Sequence, residues 1–464
     1  MAGHSPPPGA AVHDGLKGRR RWFSTLAIVL GVVMTVLANA TTYVALPSMA
    51  RSLGVDAGVT VWVVNLYLLA TVVALLPLAA WGDTRGHRRV FMAGLALFAA
   101  ATVLAALSAR TPWPLPTLLL ARALMGLGAA GVMATCMALL RATHPSHRLG
   151  RFIGLNGMAV AAANAAGPSV AGAVLAWSNW ETLLALLLVP AAATAALGWR
   201  SLPRNPVLRE AAVDPLGAVL QGAAFASLVL VLTPLAGAWR WPLCALGLAL
   251  GAAFVLRERQ RGFALLPLDL LKRPLFAASF TAAYACFVAQ VLAMVCLPFL
   301  LQGRLGLGPG ATGLAITPWP LAVMVTAPLA GALSDRVSTA WLGSTGLLLA
   351  AAGLVSLAWL PGTATALDVA WRMALTGAGF ALFSGSNVRA LMAATPVERS
   401  GAVGGMHAIS RQSGQLVGAA LGGLVLSPAG WAGAADRGLL LAALMSGLAA
   451  VACGFKSRDS RGRS

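Results

Sequence analysis

Long apolar runs alternate with short polar turns along almost the whole chain. About fourteen of these runs approach the roughly 20 mostly apolar residues that a helix needs to cross a bilayer. Inside hydrocarbon a helix satisfies all of its own backbone hydrogen bonds, so we predict an all-α polytopic membrane protein. The predicted spans are 22–46, 59–81, 89–109, 115–140, 151–176, 180–199, 214–236, 240–257, 275–301, 310–333, 339–360, 366–391, 400–427 and 437–455.

Basic residues are concentrated in alternate turns between these runs. Most of the 33 Lys and Arg fall on one side of the membrane when the first span starts from the cytoplasm. Short cytoplasmic loops of membrane proteins are enriched in Lys and Arg, so this bias orients the chain. We therefore predict an even number of spans, with both termini in the cytoplasm.

One turn combines an acid with several arginines in a very short segment. This first charged hinge, residues 79–91, lies between two predicted spans, and its glycines permit a tight reversal of the backbone. A similar second charged hinge, residues 331–337, appears in the other half of the chain. A charged hinge in each half predicts a pair of gates on the cytoplasmic side, whereas the alternative is a solvated loop that only fixes topology. The candidate gate residues are Asp83, Arg85, Gly86, Arg88, Arg89, Asp335 and Arg336.

Other residues repeat at a nearly constant offset. Arg122 precedes Gly126 in the fourth predicted span, and Arg372 precedes Gly377 in the twelfth. Two related six-helix bundles plus two inserted helices explain this spacing. The predicted domains are a disordered tail at 1–21, an N-terminal bundle at 22–200, a linker with two inserted spans at 201–273, a C-terminal bundle at 274–455 and a tail at 456–464.

The composition excludes a soluble protein. Of the 464 residues, 59% are hydrophobic and 10% are charged, and the mean hydropathy is +0.81. A soluble domain cannot bury that much apolar surface. The net charge of +20 does not indicate nucleic-acid binding, because the basic residues lie in short loops. The five cysteines fall inside apolar runs without metal-ligand spacing, so neither a disulfide framework nor a metal site is predicted.

Several motifs together resemble one transporter family. The first charged hinge resembles the signature between spans two and three of the major facilitator superfamily, and Arg122 with Gly126 resembles its fourth-span motif. Gly167, Pro168 and Gly172 resemble the fifth-span motif of antiporters in that superfamily. The set is similar to the fourteen-span drug:proton antiporter branch, and this resemblance implies the major facilitator fold in a monomer.

The same resemblance implies a function. It implies proton-coupled efflux of small amphiphilic, multidrug-type compounds by alternating access, with the proton gradient as the driving force and no cofactor. The implied partners are a small-molecule substrate and the lipid bilayer. The composition adds a bacterial inner membrane as the predicted location.

The chain departs from this branch where an acid is expected in the first span. Ala38 occupies that position with Asn39 beside it, and all 13 Asp and Glu fall in tails, loops or span ends. A cavity without a carboxylate is a poor site for a lipophilic dication. It also lacks the usual carboxylate proton carrier.

Basic residues lie inside predicted spans instead. A charge in a span costs at least about 2.5–3.5 kcal/mol on insertion scales, so Arg122 and Arg411 should face a cavity or a partner. We therefore expect a neutral, amphiphilic or anionic substrate. His407, one turn before Arg411, is the candidate proton carrier because the ordinary histidine pKa is about 6.5. The alternatives are snorkelling to the surface for Arg122 and a packing role for His407. The predicted cavity and coupling residues are Asn39, Arg122, Gly126, His407 and Arg411.

Other functions stay open at this point. An uncoupled or importing facilitator of a neutral or anionic solute also fits the missing acid. A membrane-embedded lipid-modifying enzyme would need clustered His, Asp and Glu or an activated Ser, and the sequence shows no such cluster. A transport-dead relative acting as a sensor or scaffold would be expected to have lost hinge residues.

Overall fold

A computed structural model describes residues 15–203, 214–232, 234–259, 272–334, 336–393, 400–427 and 431–461. These residues form seventeen α-helices and two short 3₁₀ helices, with no strand among them. The α-helices are α1 (Gly18–Leu53), α2 (Ala57–Thr60), α3 (Trp62–Arg85), α4 (His87–Leu107), α5 (Pro114–Thr143), α6 (Ser146–Trp177), α7 (Trp180–Ala185), α8 (Leu188–Ser201), α9 (Pro215–Val231), α10 (Arg240–Arg259), α11 (Pro274–Gly303), α12 (Pro309–Ile316), α13 (Pro318–Leu333), α14 (Thr339–Ala358), α15 (Ala366–Ala393), α16 (Ser400–Leu426) and α17 (Trp431–Arg461).

The predicted all-α membrane fold is confirmed. Twelve stretches of the described residues are long and apolar enough to cross a bilayer. Two further helices correspond to the remaining predicted spans. α9 has only 17 residues, which is short for a complete crossing, and α16 has 27 residues but carries the polar segment 410–413.

Three predicted spans are each built from two successive helices. α2 meets α3 at Val61, α7 is followed by α8, and α12 meets α13 at Thr317. Pro318 begins α13, and a proline fits the first turn of a helix because it lacks an N–H and has a fixed φ. Thr317 keeps a right-handed helical backbone, so α12 and α13 continue along one interrupted path.

The two halves use the same pattern of helix contacts. In the N-terminal half, α1 packs on α6 and α8, while α5 packs on α3 and α4. In the C-terminal half, α11 packs on α16 and α17, while α15 packs on α13 and α14. The repeat seen in the sequence is therefore also a repeat of helix packing, with α9 and α10 lying between its two copies along the chain.

Corresponding glycines bring the same pairs of helices together in both halves. A Cβ atom on Gly126 of α5 would collide with the backbone oxygen of Tyr67 in α3. A Cβ atom on Gly377 of α15 would collide with the backbone oxygen of Trp319 in α13. Small residues permit this close approach of membrane helices. The same close helix contact in each half explains why a glycine is found at both positions.

The inserted helices α9 and α10 pack on each other, and α9 packs mainly on α3 of the N-terminal half. Arg257 near the end of α10 donates to Asp214, which precedes α9, with 3.0 Å from Nε to Oδ2 and 3.0 Å from its terminal nitrogen to Oδ1. A Cβ atom on Gly222 of α9 would lie 2.8 Å from Val73 of α3. The inserted pair is thus held together by an ion pair and fixed against α3.

The molecule has a hinge end and a far end. The hinge end carries the turn from α3 to α4, and α1 begins there, because Ser24 Oγ lies 3.2 Å from Thr143 Oγ1 at the end of α5. At the far end, Arg51 near the end of α1 donates to Gln302 near the end of α11, at 3.0 Å. The chain returns from there through α12 and α13, so the described part of the second charged hinge also lies at the hinge end.

Exposed tryptophans gather near both ends of the helices. Those near the hinge end are Trp22, Trp81, Trp199 and Trp341, and those near the far end are Trp113, Trp177, Trp239, Trp241, Trp359 and Trp371. Tryptophan is enriched at membrane–water interfaces, where its ring is apolar and its N–H remains hydrated. The two sets fit a bilayer that surrounds the helices between them.

A buried histidine joins the start of α1 to the turn between α5 and α6. His144 Nε2 lies 2.7 Å from Thr25 Oγ1, and the imidazole stacks on Phe152 with 3.4 Å between ring centroids. Burial, helped by the nearby charge of Arg21, lowers the pKa of His144 to about 4. The ring is therefore neutral at neutral pH.

Acidification should loosen this contact. Because the pKa in the folded protein lies below the ordinary value of about 6.5, the stabilisation is complete above about pH 6.5 and is lost as the pH falls towards about 4. Hydrogen–deuterium exchange of residues 18–30, corrected for its intrinsic pH dependence, should rise over that interval. His144→Gln should remove the pH-dependent part of the rise. The same pH response in this variant would contradict the role of His144.

Candidate transport cavity

A large cavity lies between the two halves. Its volume is about 1020 Å³, and its walls come from α1, α3, α5 and α6 on one side and from α11, α12, α13, α15 and α16 on the other. Small-molecule pockets in proteins usually occupy about 300–1,000 Å³, so a drug-sized compound fits. A site built from both halves can be opened and closed by rocking one half against the other.

The cavity wall is mostly apolar, with hydrogen-bonding side chains placed at intervals. The polar lining residues are Asn39, Tyr43, Asn156, Asn164, Gln290, Ser384, Gln412 and Gln415, and the basic ones are Arg141, His407 and Arg411. Within the described part of the chain, no Asp or Glu contributes to the lining. Such a wall suits a ligand with a large apolar body and few polar groups.

Three of the five predicted cavity and coupling residues line this cavity. Asn39 donates from Nδ2 to the Tyr43 hydroxyl at 2.9 Å, and its buried Oδ1 has no partner among the described residues. His407 meets Phe287 edge to face, with 5.8 Å between ring centroids, and its buried Nδ1 likewise lacks a described partner. Arg411 follows one turn later on α16. Asn39 and His407 thus line the cavity, and each keeps one buried polar atom without a partner among the described residues.

The structure places Arg122 behind the wall of the cavity. Its side chain is fully buried, Nε donates to the Val63 backbone oxygen at 2.8 Å, and the guanidinium lies 4.5 Å from the centre of the Tyr67 ring. Gly126 is one turn further along α5, where it meets Tyr67. In this conformation both residues join α5 to α3 instead of facing the cavity.

The glycines predicted to form the antiporter motif lie where α6 contacts other helices. A Cβ atom on Gly167 would lie 2.5 Å from the Ala40 Cβ in α1, and one on Gly172 would lie 3.0 Å from the Gly310 backbone oxygen in α12. Pro168, inside α6, lines the cavity between these contacts. The motif thus lets α6 approach both its own half and the opposite half.

The far end of the cavity is closed by contacts between the halves. Gln302 of α11 accepts a hydrogen bond from Arg51 of α1. Its Nε2 also donates to the Val44 backbone oxygen in α1, at 3.4 Å. Ser169 of α6 and Thr317 between α12 and α13 lie 2.6 Å apart through their hydroxyl oxygens. These polar contacts and the glycine contacts seal α1 and α6 against α11 and α12.

The cavity is open towards the hinge end. Its lining continues to Arg141 near the end of α5, Ile153 near the start of α6 and Met392 near the end of α15. Nothing lies within 4 Å of a Cβ placed on Gly154 or Gly157 of α6, in contrast to the tight far end. With the hinge end in the cytoplasm, as the Lys and Arg distribution predicts, this is an inward-open arrangement.

The first charged hinge makes its described contacts within the N-terminal half. His87 Nε2 lies 3.2 Å from Asp83 Oδ1, and Arg88 donates to the Trp199 backbone oxygen at 2.5 Å. Gly86 has φ of +95° between α3 and α4, a conformation that side-chain-bearing residues rarely adopt. The tight reversal predicted at this glycine is therefore present.

Arg85, Arg89 and Arg336, the other gate residues that the structure describes, make no contact with one another. Arg85 and Arg89 are exposed, as is Arg336 after α13, while Asp335 lies outside the described residues. A gate between the halves would form only when the hinge end closes. The gate assignment therefore stays a prediction.

Sequence reasoning missed most of the amides of the cavity. Asn156 and Asn164 lie about two turns apart on one face of α6, and Gln290 and Gln415 line the opposite half. Their position inside apolar spans could have indicated a cavity, since amides there need hydrogen-bond partners or water. Which face of each span meets the cavity, however, depends on how the halves assemble.

Comparisons with known proteins agree with this architecture. A profile of the Major Facilitator Superfamily matches residues 28–419 and 275–464. The uncharacterized transporter YebQ of Escherichia coli (strain K12) is 39% identical, over 97% of this chain and 98% of that protein. The tetracenomycin C resistance and export protein of Streptomyces glaucescens is 28% identical, over 91% of this chain and 79% of that protein.

A solved structure shares the fold. It is that of a bacterial homolog to the human lysosomal transporter Spinster, in an inward-facing and unoccupied conformation. The two structures agree with a TM-score of 0.70 at 16% sequence identity, over 96% of this chain and 98% of that one. The chain belongs to the Major Facilitator Superfamily and is a membrane transporter, not an enzyme.

Proposed function

We propose that this protein exports small amphiphilic compounds across a bacterial inner membrane by alternating access, with proton entry as the driving force. The observation that carries the proposal is the cavity of about 1020 Å³ between the halves, open at the hinge end and closed at the far end. Its apolar wall with spaced amides can hold chemically different compounds without a dedicated set of polar contacts. The transporter works as a monomer, with both termini in the cytoplasm.

Relatives support the drug-efflux part of the proposal. The Streptomyces glaucescens relative is named for resistance to tetracenomycin C and for its export. Resistance by export of a small compound fits a cavity that loads from the hinge end, because the Lys and Arg distribution assigns that end to the cytoplasm. The motifs at residues 79–91 and 167–172 resemble those of drug:proton antiporters, and this resemblance supports the proposal.

Proton coupling would depend on His407. It lines the cavity wall on α16, and its buried Nδ1 has no partner among the described residues. A histidine can take up and release a proton near cellular pH. Alternate exposure of this ring to the two sides of the membrane would therefore carry one proton per cycle in place of the missing carboxylate.

Transport in proteoliposomes tests both parts of this proposal. Wild-type protein should exchange an amphiphilic dye across the bilayer, and an inward proton gradient should drive its net movement. His407→Ala should keep gradient-free exchange but lose the acceleration by the gradient, since no titratable group would remain at this position. His407→Asn, which retains hydrogen bonding without titrating, should behave like His407→Ala. Undiminished gradient-driven transport in both variants would exclude His407 as the carrier.

A second function is favoured by one specific observation. Because no carboxylate lines the described cavity, the protein could equilibrate a neutral or anionic solute without ion coupling. In the same experiment, this facilitator would show equal exchange with and without a proton gradient in the wild-type protein. That outcome would replace the coupled mechanism and leave alternating access intact.

A further inference from the structure

Arg411 places a fixed positive charge on the wall of the cavity. It lies inside α16, about one turn beyond His407, and forms no ion pair or hydrogen bond with the described residues. An arginine inside a membrane span is expensive unless a partner or water solvates it. A charge retained there without a protein partner is therefore a candidate for ligand binding.

Two other arginines in the described helices have protein partners. Arg122 donates to the Val63 backbone oxygen and lies over the Tyr67 ring. Arg257 pairs with Asp214 at 3.0 Å. Nη2 of Arg122 has no partner among the described residues, but neither Arg122 nor Arg257 lines the cavity. Arg411 does line it, and is therefore the strongest candidate for a group from outside.

The surroundings of Arg411 suit a negative charge. The other basic residues of the described lining are Arg141 and His407, and no carboxylate opposes them. Gln415 follows Arg411 by one further turn of α16 and can donate a second hydrogen bond from its amide. The wall nearby is apolar, with Phe287 and Met294 contributed by α11.

We propose that Arg411 is an anion subsite, which binds the ionised acidic group of an amphiphilic anion whose apolar body lies against α11. This inference rests on the proposed function in one respect, that the cavity is the substrate site. A guanidinium presents a planar fork of donors that matches carboxylate and sulfonate oxygens. The site therefore selects organic anions over neutral compounds of the same shape and disfavours organic cations.

Two dyes that share one ring system separate the charge from the shape. 1-Anilinonaphthalene-8-sulfonate carries a sulfonate, and N-phenyl-1-naphthylamine has the same rings without it. Both gain fluorescence in an apolar environment. Binding of each to the full-length protein in nanodiscs, measured at pH 8 with empty nanodiscs subtracted, isolates the contribution of the sulfonate. At this pH an ordinary histidine is neutral, so His407 adds no charge.

Three variants assign that contribution to one side chain. Arg411→Gln should weaken sulfonate binding about 10-fold or more, because one charge-assisted hydrogen-bonded contact is lost, while naphthylamine binding stays within about twofold. Arg411→Lys should bind the sulfonate with an affinity between those of the wild-type protein and Arg411→Gln, since lysine keeps the charge but lacks the planar fork of donors. Arg148→Gln, which removes an exposed arginine near the start of α6 that does not line the cavity, is the matched control and should leave sulfonate binding unchanged.

The outcomes separate this inference from the export proposal. Equal affinity of the wild-type protein for both dyes, or an equal loss of both in Arg411→Gln and Arg411→Lys, would overturn the anion subsite. Transport of the naphthylamine in proteoliposomes would then still support export. Sulfonate binding that depends on Arg411 without transport of either dye would uphold the subsite and overturn export.

Discussion

Gly126→Ala should destabilise the folded protein strongly although it adds a single methyl group. The new Cβ would collide with the Tyr67 backbone oxygen and lie 2.9 Å from the Ala70 Cβ, so the clash falls mainly on backbone atoms that cannot rotate away. Overpacking of a close-packed interior typically costs about 1–3 kcal/mol, and we expect the upper part of this range. Thermal unfolding in detergent, together with the monodisperse fraction on size-exclusion chromatography, measures the effect.

Two further variants make this result specific. Gly154→Ala in α6 is the matched control, because nothing lies within 4 Å of its added Cβ and alanine favours a helix by about 1 kcal/mol over glycine. Gly377→Ala should cost about as much as Gly126→Ala, because it meets the Trp319 backbone oxygen in the equivalent contact of the other half. Equal melting temperatures for Gly126→Ala and Gly154→Ala would contradict the close approach of α3 and α5.

The fold was predictable because its signals are local. Hydrophobic length identified the spans without any knowledge of packing, since hydrocarbon imposes the same requirement on each of them. The recurrence of Gly126 at Gly377 identified the repeat, and the structure shows its physical cause in two equivalent helix contacts. The breaks at Val61 and Thr317 were not predicted, because an interrupted helix keeps the same apolar run.

The role of Arg122 illustrates what the sequence leaves open. An arginine inside a span needs a cavity or a partner, and sequence reasoning placed Arg122 with the cavity residues. In the structure its partners are the Val63 backbone oxygen and the face of Tyr67, both in α3. A backbone oxygen and a ring face carry no sequence signature as arginine partners, whereas a carboxylate partner is visible in the sequence.

The cavity was predictable in outline but not in its lining. Charge identified Arg411 and His407 as residues that ought to face it, and both do. Asn156 and Gln290 come from helices that are distant in sequence and meet only across the interface between the halves. Their convergence depends on the far-end contacts that hold α6 against α12, so those contacts set the shape of the site.

Gly313→Leu should therefore shift the transporter away from the arrangement described here. A Cβ on Gly313 of α12 would collide with the Pro168 backbone oxygen and lie 2.8 Å from the Gly172 Cα, so the side chain would force α6 and α12 apart at the far end. A clash of about 1–3 kcal/mol in one state shifts a two-state equilibrium by about 5- to 150-fold. Transport should fall, because the cycle can no longer return readily to the state that is closed at the far end.

A reporter cysteine in the cavity reads this shift from both sides of the membrane. Ser384→Cys, in a Cys136→Ala background that removes the native cysteine of the lining, should react with a membrane-impermeant maleimide in inverted vesicles, because the cavity opens at the hinge end. Adding Gly313→Leu should lower this labelling at least about fivefold and raise labelling in intact spheroplasts. Gly308→Leu, with nothing within 4 Å of its Cβ, should leave both reactions unchanged. If Ser384→Cys without Gly313→Leu were labelled only in spheroplasts, the hinge end would lie outside the cell. The direction of loading would then be reversed, because the open mouth of the cavity fixes which compartment supplies the substrate.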